Sequence, residues 1–159
     1  MVRDAIRGAL AGAAATWLMD NVTTGMFEAQ PREVTAREQA AQPNGKSSVA
    51  NLVDRVEART GLRIPAARRP ILENATHYAL GVLPGAFYGV IRRYLPFATV
   101  GRGLAYGLAV FAVNDEYANT KLGLAGPPSA YPPETHFRGL TGHAVLGVAT
   151  ETGIQLLGG

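Results

Sequence analysis

Cysteine is absent from the 159 residues, which excludes disulfides, thiolate metal ligands and a cysteine nucleophile. Serine is scarce: Ser47, Ser48 and Ser129 are the whole set, and none sits in a Gly-x-Ser-x-Gly elbow. There is no phosphate-binding Gly-Lys-Ser/Thr loop. Gly101-Arg102-Gly103 with Gly107 lacks the third glycine and the preceding strand of a dinucleotide fingerprint. Neither a His-Glu-x-x-His nor a Glu-x-x-His pair occurs, so the usual zinc-protease and di-iron signatures are missing. No basic run is interleaved with aromatics, and the net charge is only +3, so nucleic acid is not an expected partner. Charged residues make up 17% of the chain, below the roughly 25% of ordinary soluble domains.

The charges that remain are unevenly placed. Between Arg7 and Glu28 the only one is Asp20, and between Arg93 and Asp115 the only one is Arg102. None falls between Glu73 and Arg92, or between Arg138 and Glu151. Residues 28–73, by contrast, hold fourteen acidic or basic side chains, which pulls the mean hydropathy down to +0.05. Four apolar segments follow from this distribution, at about 4–27, 71–91, 98–118 and 136–157. The start of the chain, with Arg3, Arg7 and Ala13-Ala14-Ala15, has some marks of a signal peptide. Its core is weakly hydrophobic and the pattern continues through Trp17, Met19 and Phe27, which favours a retained segment.

Each segment carries small residues at every fourth position, interrupted by ionisable groups. The rows are Gly8-Gly12-Thr16-Asp20-Thr24-Glu28, His77-Gly81-Gly85-Gly89, Gly103-Gly107-Phe111-Asp115 and Gly139-His143-Gly147-Glu151. On a helix such positions form one ridge, and a glycine ridge lets a second helix approach backbone to backbone. Interior glycine costs a helix in water about 1 kcal/mol and proline about 3, against a total stability of roughly 5–15 kcal/mol. In lipid the helix is enforced by the lack of water, and glycine is tolerated. The expectation is therefore an all-α, four-span transmembrane helical bundle with Pro84 kinking the second span. Its partner is the lipid bilayer, with a homo-oligomer or a larger membrane complex using the glycine ridges. Arg3, Arg7, Arg92, Arg93 and Arg102 favour termini on the cytoplasmic side, and eight Lys/Arg in the first loop oppose this.

The segment 28–70 is read as a polar loop with one additional amphipathic helix. Glu28 to Gly45, with Pro31, Pro43 and Asn44-Gly45, reads as loop. After it, Ser47 or Ser48 caps a helix whose apolar face is Val49, Leu52, Val53 and Val56, and Gly61 ends it. It lies either in the membrane interface or on the bundle.

Intramembrane acids and histidines are costly and turn toward a partner or water. The main candidates are His77, Asp115, Glu116 and His143. Asp20, Glu151 and His136 are secondary, His136 as an interfacial residue after the proline-rich stretch. If the second and fourth segments run antiparallel to the third, Asp115 or Glu116 reaches the depth of a histidine. A His–carboxylate pair can relay protons near neutral pH. The competing readings are structural helix-end pairs and a metal or haem site, for which His77, Glu116 and His143 are the ligands to test. No cofactor is required by any motif, and a non-enzymatic packing or complex-subunit role is the leading expectation.

Two blocks of residues resemble a known family. One is His77-Tyr-Ala-Leu-Gly81 with Gly85 and Tyr88-Gly89. The other is Asp115-Glu116, Gly123-Leu124, Pro127, Pro132, His136 and Gly142-His143 with Gly147. Over about residues 74–150 these are similar to the YagU-type family of uncharacterised bacterial inner-membrane proteins. The resemblance implies a multi-pass inner-membrane protein without a settled activity, and a link to acid tolerance that keeps proton-related roles in view. Where the family pattern has a proline soon after the acidic pair, this chain has Thr120.

Overall fold

The computed structural model describes residues 1–159. It is all-α, with no strand. In chain order the helices are α1 (Val2–Glu28), α2 (Arg32–Ala41), α3 (Ser48–Thr60), α4 (Arg69–Ile91) and α5 (Leu104–Val110). A π-helical stretch, Phe111–Ala118, continues α5 into the short α6 (Asn119–Lys121), and α7 (Pro133–Leu156) closes the chain. Prolines begin two of the long rods, Pro70 in α4 and Pro133 in α7, where a missing N–H costs nothing. α4 continues through Pro84 as one helix.

α1 lies against α4 and α7, and α5 lies against α7. The contacts run antiparallel and are made largely of glycine. Gly8 faces Gly85 and Gly89, Gly12 faces Gly81 and Gly85, and Gly107 faces His143 and Gly147. A Cβ on Gly12 would stand 2.7 Å from the Gly81 carbonyl oxygen, and one on Gly147 would stand 2.7 Å from the Gly107 nitrogen. Gly139 is closed by the Phe111 ring instead. Tyr88 stacks on Tyr106 with ring centroids 4.1 Å apart, tying α4 to α5 beside Ala11, Ala98 and Ile154. That small cluster is the hydrophobic core. The glycine rows are consumed inside the chain, so they do not form the open ridges that motivated an oligomer.

The outer side of each long rod carries large apolar side chains. Ile6, Leu10, Trp17, Leu83, Phe87 and Phe137 stay exposed. The accessible surface is 9229 Å² for a 16.7 kDa chain, where a compact monomer of that mass shows about 7,600 Å². No helix is long and apolar enough to cross a membrane, so the hydropathy of the helices gives the expected four spanning segments no support. The reason lies in the seams: glycine, threonine, histidine and acid on the inner face of each rod lower its average, although the outer face is apolar.

Two further expectations change. The stretch Glu28–Gly45 is not all loop, because α2 occupies Arg32–Ala41. Pro31 and Pro43 bound this helix rather than prevent it, and the Arg-Glu-Val-Thr-Ala-Arg-Glu-Gln run between them consists mostly of good helix formers. The third segment begins at Leu104 rather than near 98. Gly101, Arg102 and Gly103 all have positive φ, and Gly103, at φ 90°, is the residue before the helix rather than part of its ridge. Gly103 still packs on Gly147, which its missing side chain permits.

α2 and α3 form a polar cap over one end of the bundle. Ser47 accepts a hydrogen bond from the Ala50 N–H at 3.2 Å, and Gly61 ends α3 in the left-handed conformation at φ 72°. The buried Asn51 amide donates to the carbonyls of Pro43, Lys46 and Leu124, fastening the cap to the chain after α6. Lys46 and Arg69 both bond Asp54 at 2.6 Å. The Lys46 hydrogen bond, then that of Arg69, holds the Asp54 carboxyl below its ordinary range against the opposing effect of burial.

Candidate functional site

All three histidines of the bundle lie toward the end beneath the cap, each beside an acid. Here meet the C-terminal part of α1, the N-terminal parts of α4 and α7, and the π-helical stretch. π-helical turns in α-helices frequently mark functional sites, and this one carries Asn114, Asp115 and Glu116. Nothing in the apolar pattern of the sequence announces it.

Each of the three histidines faces a carboxylate. His77 Nε2 is 2.8 Å from Asp20 Oδ1, joining α4 to α1. His136 Nδ1 is 2.7 Å from Glu116 Oε1, and His136 Nε2 donates to the Pro128 carbonyl at 3.0 Å. His143 Nδ1 is 3.7 Å from Asp115 Oδ2 and donates to the Gly139 carbonyl at 2.9 Å. A carbonyl only accepts, so Nδ1 of His143 carries the proton, and Nε2 of the neutral ring holds a lone pair. His136 and His143 are seven residues apart and share one face of α7. The antiparallel run of α7 against α5 is what sets them beside the adjacent acids 115 and 116.

Two adjoining cavities link these pairs. The inner one has a volume of 180 Å³ and is lined by His77, Asn114, Asp115 and His143, with apolar walls from Leu80 and Leu146. The outer one, 310 Å³, is bounded by Asp115, Glu116, His136, Glu38 and Arg138 under the cap. Asp115, Met19, Ser48 and Asn119 border both. His143 is almost fully buried, whereas the Asp115 side chain keeps 35% of its surface open.

His77, Asp115 and His143 thus border one cavity, a convergence that the sequence left open. Glu116 belongs to the neighbouring cavity with His136, which is a site member rather than only an interfacial residue. The ligand set His77, Glu116 and His143 is not assembled. No group of three or more histidine and acidic side chains is placed to hold a metal ion.

Asp20 and Glu151, ranked second from the sequence, are both firmly partnered. Glu151 is 2% exposed and lies at the opposite end of the bundle. It accepts hydrogen bonds from Tyr88 at 2.6 Å, from Arg92 Nε at 2.9 Å and from Gln155 at 2.8 Å, and pairs with the second arm of Arg92 as well. From the sequence, Arg92 counted only among the positive charges that bear on orientation. Arg138 was also missed: it donates to Gln30 at 2.8 Å and pairs with Glu38, so the cap is latched to α7 beside the outer cavity. Its position as a lone cation at the start of an apolar helix was the available signal. Comparison with family models, curated proteins and solved structures finds no match for this chain.

Proposed function

We propose that this chain is a membrane-embedded helix bundle that conducts protons and a small polar solute through the cavities beneath its cap. The observation that carries the reading is the pairing of every histidine with a carboxylate around two adjoining cavities. Histidine and carboxylate together exchange a proton near neutral pH, where neither a lone acid nor a lysine does so readily. The groups that face one another are Asp20 and His77, Asp115 and His143, and Glu116 and His136, with the Glu38–Arg138 pair at the rim.

A lipid setting is supported by the apolar outer face and by the backbone-to-backbone seams, which hold helices together where leucine packing gains little. The rods α1, α4 and α7 have 27, 23 and 24 residues. At 1.5 Å per residue these extend about 35–40 Å, enough to match the roughly 30 Å hydrocarbon core as an assembled unit. An inner-membrane location, as the YagU-type resemblance implies, belongs to the same proposal. A purely packing or complex-subunit role has less support, because the glycine ridges are already filled within the chain.

The test is reconstitution in liposomes with a pH gradient. The intact protein should dissipate the gradient, and Asp115→Asn and His143→Ala should abolish this while leaving the helical signal unchanged. Equal proton movement in empty, wild-type and variant liposomes would remove the proposal.

A further inference from the structure

The inner cavity holds one carboxylate and no cationic side chain of lysine or arginine, and several acceptors in it have no partner. Asn114 donates one amide N–H to Asp115 Oδ1 at 2.9 Å, and its Oδ1 and second N–H have no partner in the protein. His143 has spent Nδ1–H on Gly139, leaving the Nε2 lone pair without a protein partner. His77 directs Nε2 at Asp20, which accepts. Thr16 has spent its hydroxyl proton on the Gly12 carbonyl at 2.8 Å. Asp115 is acceptor-only when ionised. No lysine or arginine borders this cavity. The acceptors left free are a carboxylate, an amide oxygen and an imidazole nitrogen, beside the Ser48 hydroxyl and the Asn119 amide, which can donate as well as accept, and all are set against the apolar walls of Val49, Leu80, Val110 and Leu146.

From this geometry we infer that the solute is a small primary alkylammonium ion. The inference rests on the solute-moving role proposed above and names its cargo. Three N–H donors of an ammonium match the three acceptor types, and its charge complements Asp115. The alkyl chain meets the aliphatic wall. An alkali cation prefers a shell of oxygens, so the imidazole nitrogen and the apolar wall suit it poorly. An anion meets a carboxylate and lone pairs. At about 30 Å³ per water-sized group, the 180 Å³ volume holds about six non-hydrogen atoms, the size of an ammonium with up to five carbons.

The experiment is calorimetric titration of the full chain in detergent with n-butylammonium, alongside sodium, potassium, tetramethylammonium and n-butanol. Saturable binding of butylammonium alone is expected. Asp115→Asn should weaken it at least tenfold, and Asn114→Leu severalfold. The second variant keeps Asp115, so it stands as the test if the first does not fold. Binding that is equally strong for sodium, potassium or tetramethylammonium overturns the inference, since none of them donates a hydrogen bond. Equal binding of butanol overturns it too, by removing the role of charge. No butylammonium binding while liposomes still pass protons overturns the cargo and leaves the proton-linked role standing. Loss of both removes the two together.

Discussion

Gly85→Ala offers the sharpest test of the packing, because a second glycine of the same bundle predicts the opposite sign. At Gly85 the added methyl would stand 2.6 Å from the Gly8 carbonyl oxygen and 3.0 Å from Gly12 Cα. Ordinary van der Waals contact begins near 3.4 Å, so α1 and α4 must separate by about 0.8 Å. A gap of that size forfeits a quarter to a half of each dispersion contact along the seam. Overpacking of this kind costs about 1–3 kcal/mol, offset by the roughly 1 kcal/mol that alanine gains over glycine in a helix. The net is a loss of up to about 2 kcal/mol by these values. Gly25, near the end of the same α1, has nothing within 4 Å of its would-be Cβ. Gly25→Ala therefore keeps only the helix gain and stabilises by about 0.5–1 kcal/mol. Denaturant titration in mild detergent, followed by far-UV circular dichroism, reads both. Shifts of the same sign in the two variants would refute the claim that α1 and α4 meet backbone to backbone.

Other outcomes follow from the ion pairs and the orphaned hydroxyl. Glu151→Ala strands Arg92 without its acceptor and should cost about 3–5 kcal/mol. Replacing Arg92 and Glu151 together by leucine should recover much of that in the same unfolding titration. Asp54 titrates below its ordinary range because Lys46 and Arg69 bond it. Its contribution is complete above the unfolded carboxyl value of about 3.9 and is lost as pH falls through the lower folded value. Hydrogen exchange over residues 48–60 should therefore accelerate in that acid window, and Asp54→Asn should flatten the response. Tyr106 buries a hydroxyl that finds no hydrogen-bond partner. Tyr106→Phe should be neutral or stabilising by about 1 kcal/mol, and a clear loss of stability would show that the hydroxyl has a partner.

Much of the bundle was legible in the order of residues because helical periodicity is local. The rows Gly8-Gly12 and Gly81-Gly85-Gly89 mark the faces that meet, since glycine at every fourth position has little use on a helix except close approach. The cap of α3 was equally legible: Ser47 and Gly61 act on the backbone within a turn of themselves. α2 was hidden because prolines signal a break without saying whether they stop a helix or introduce one. The left-handed run at residues 101–103 was hidden because arginine seldom takes positive φ, and only the surrounding turn imposes it.

The pairing of charges was a different matter. The sequence by itself determined which groups had to find partners: His77, Asp115, His143 and Glu151 lie in segments too apolar to leave them alone. It also determined that α1, α4, α5 and α7 have one small-residue face each. Only the tertiary structure decided that His77 turns to Asp20, that Glu116 goes to His136 rather than to a shared metal set, and that Glu151 is held by Arg92 and Tyr88. The reason is that a partner 57 or 59 positions away is chosen by the direction and axial offset of two packed helices. Helix periodicity reports the face of each rod and nothing of how far one slides along another.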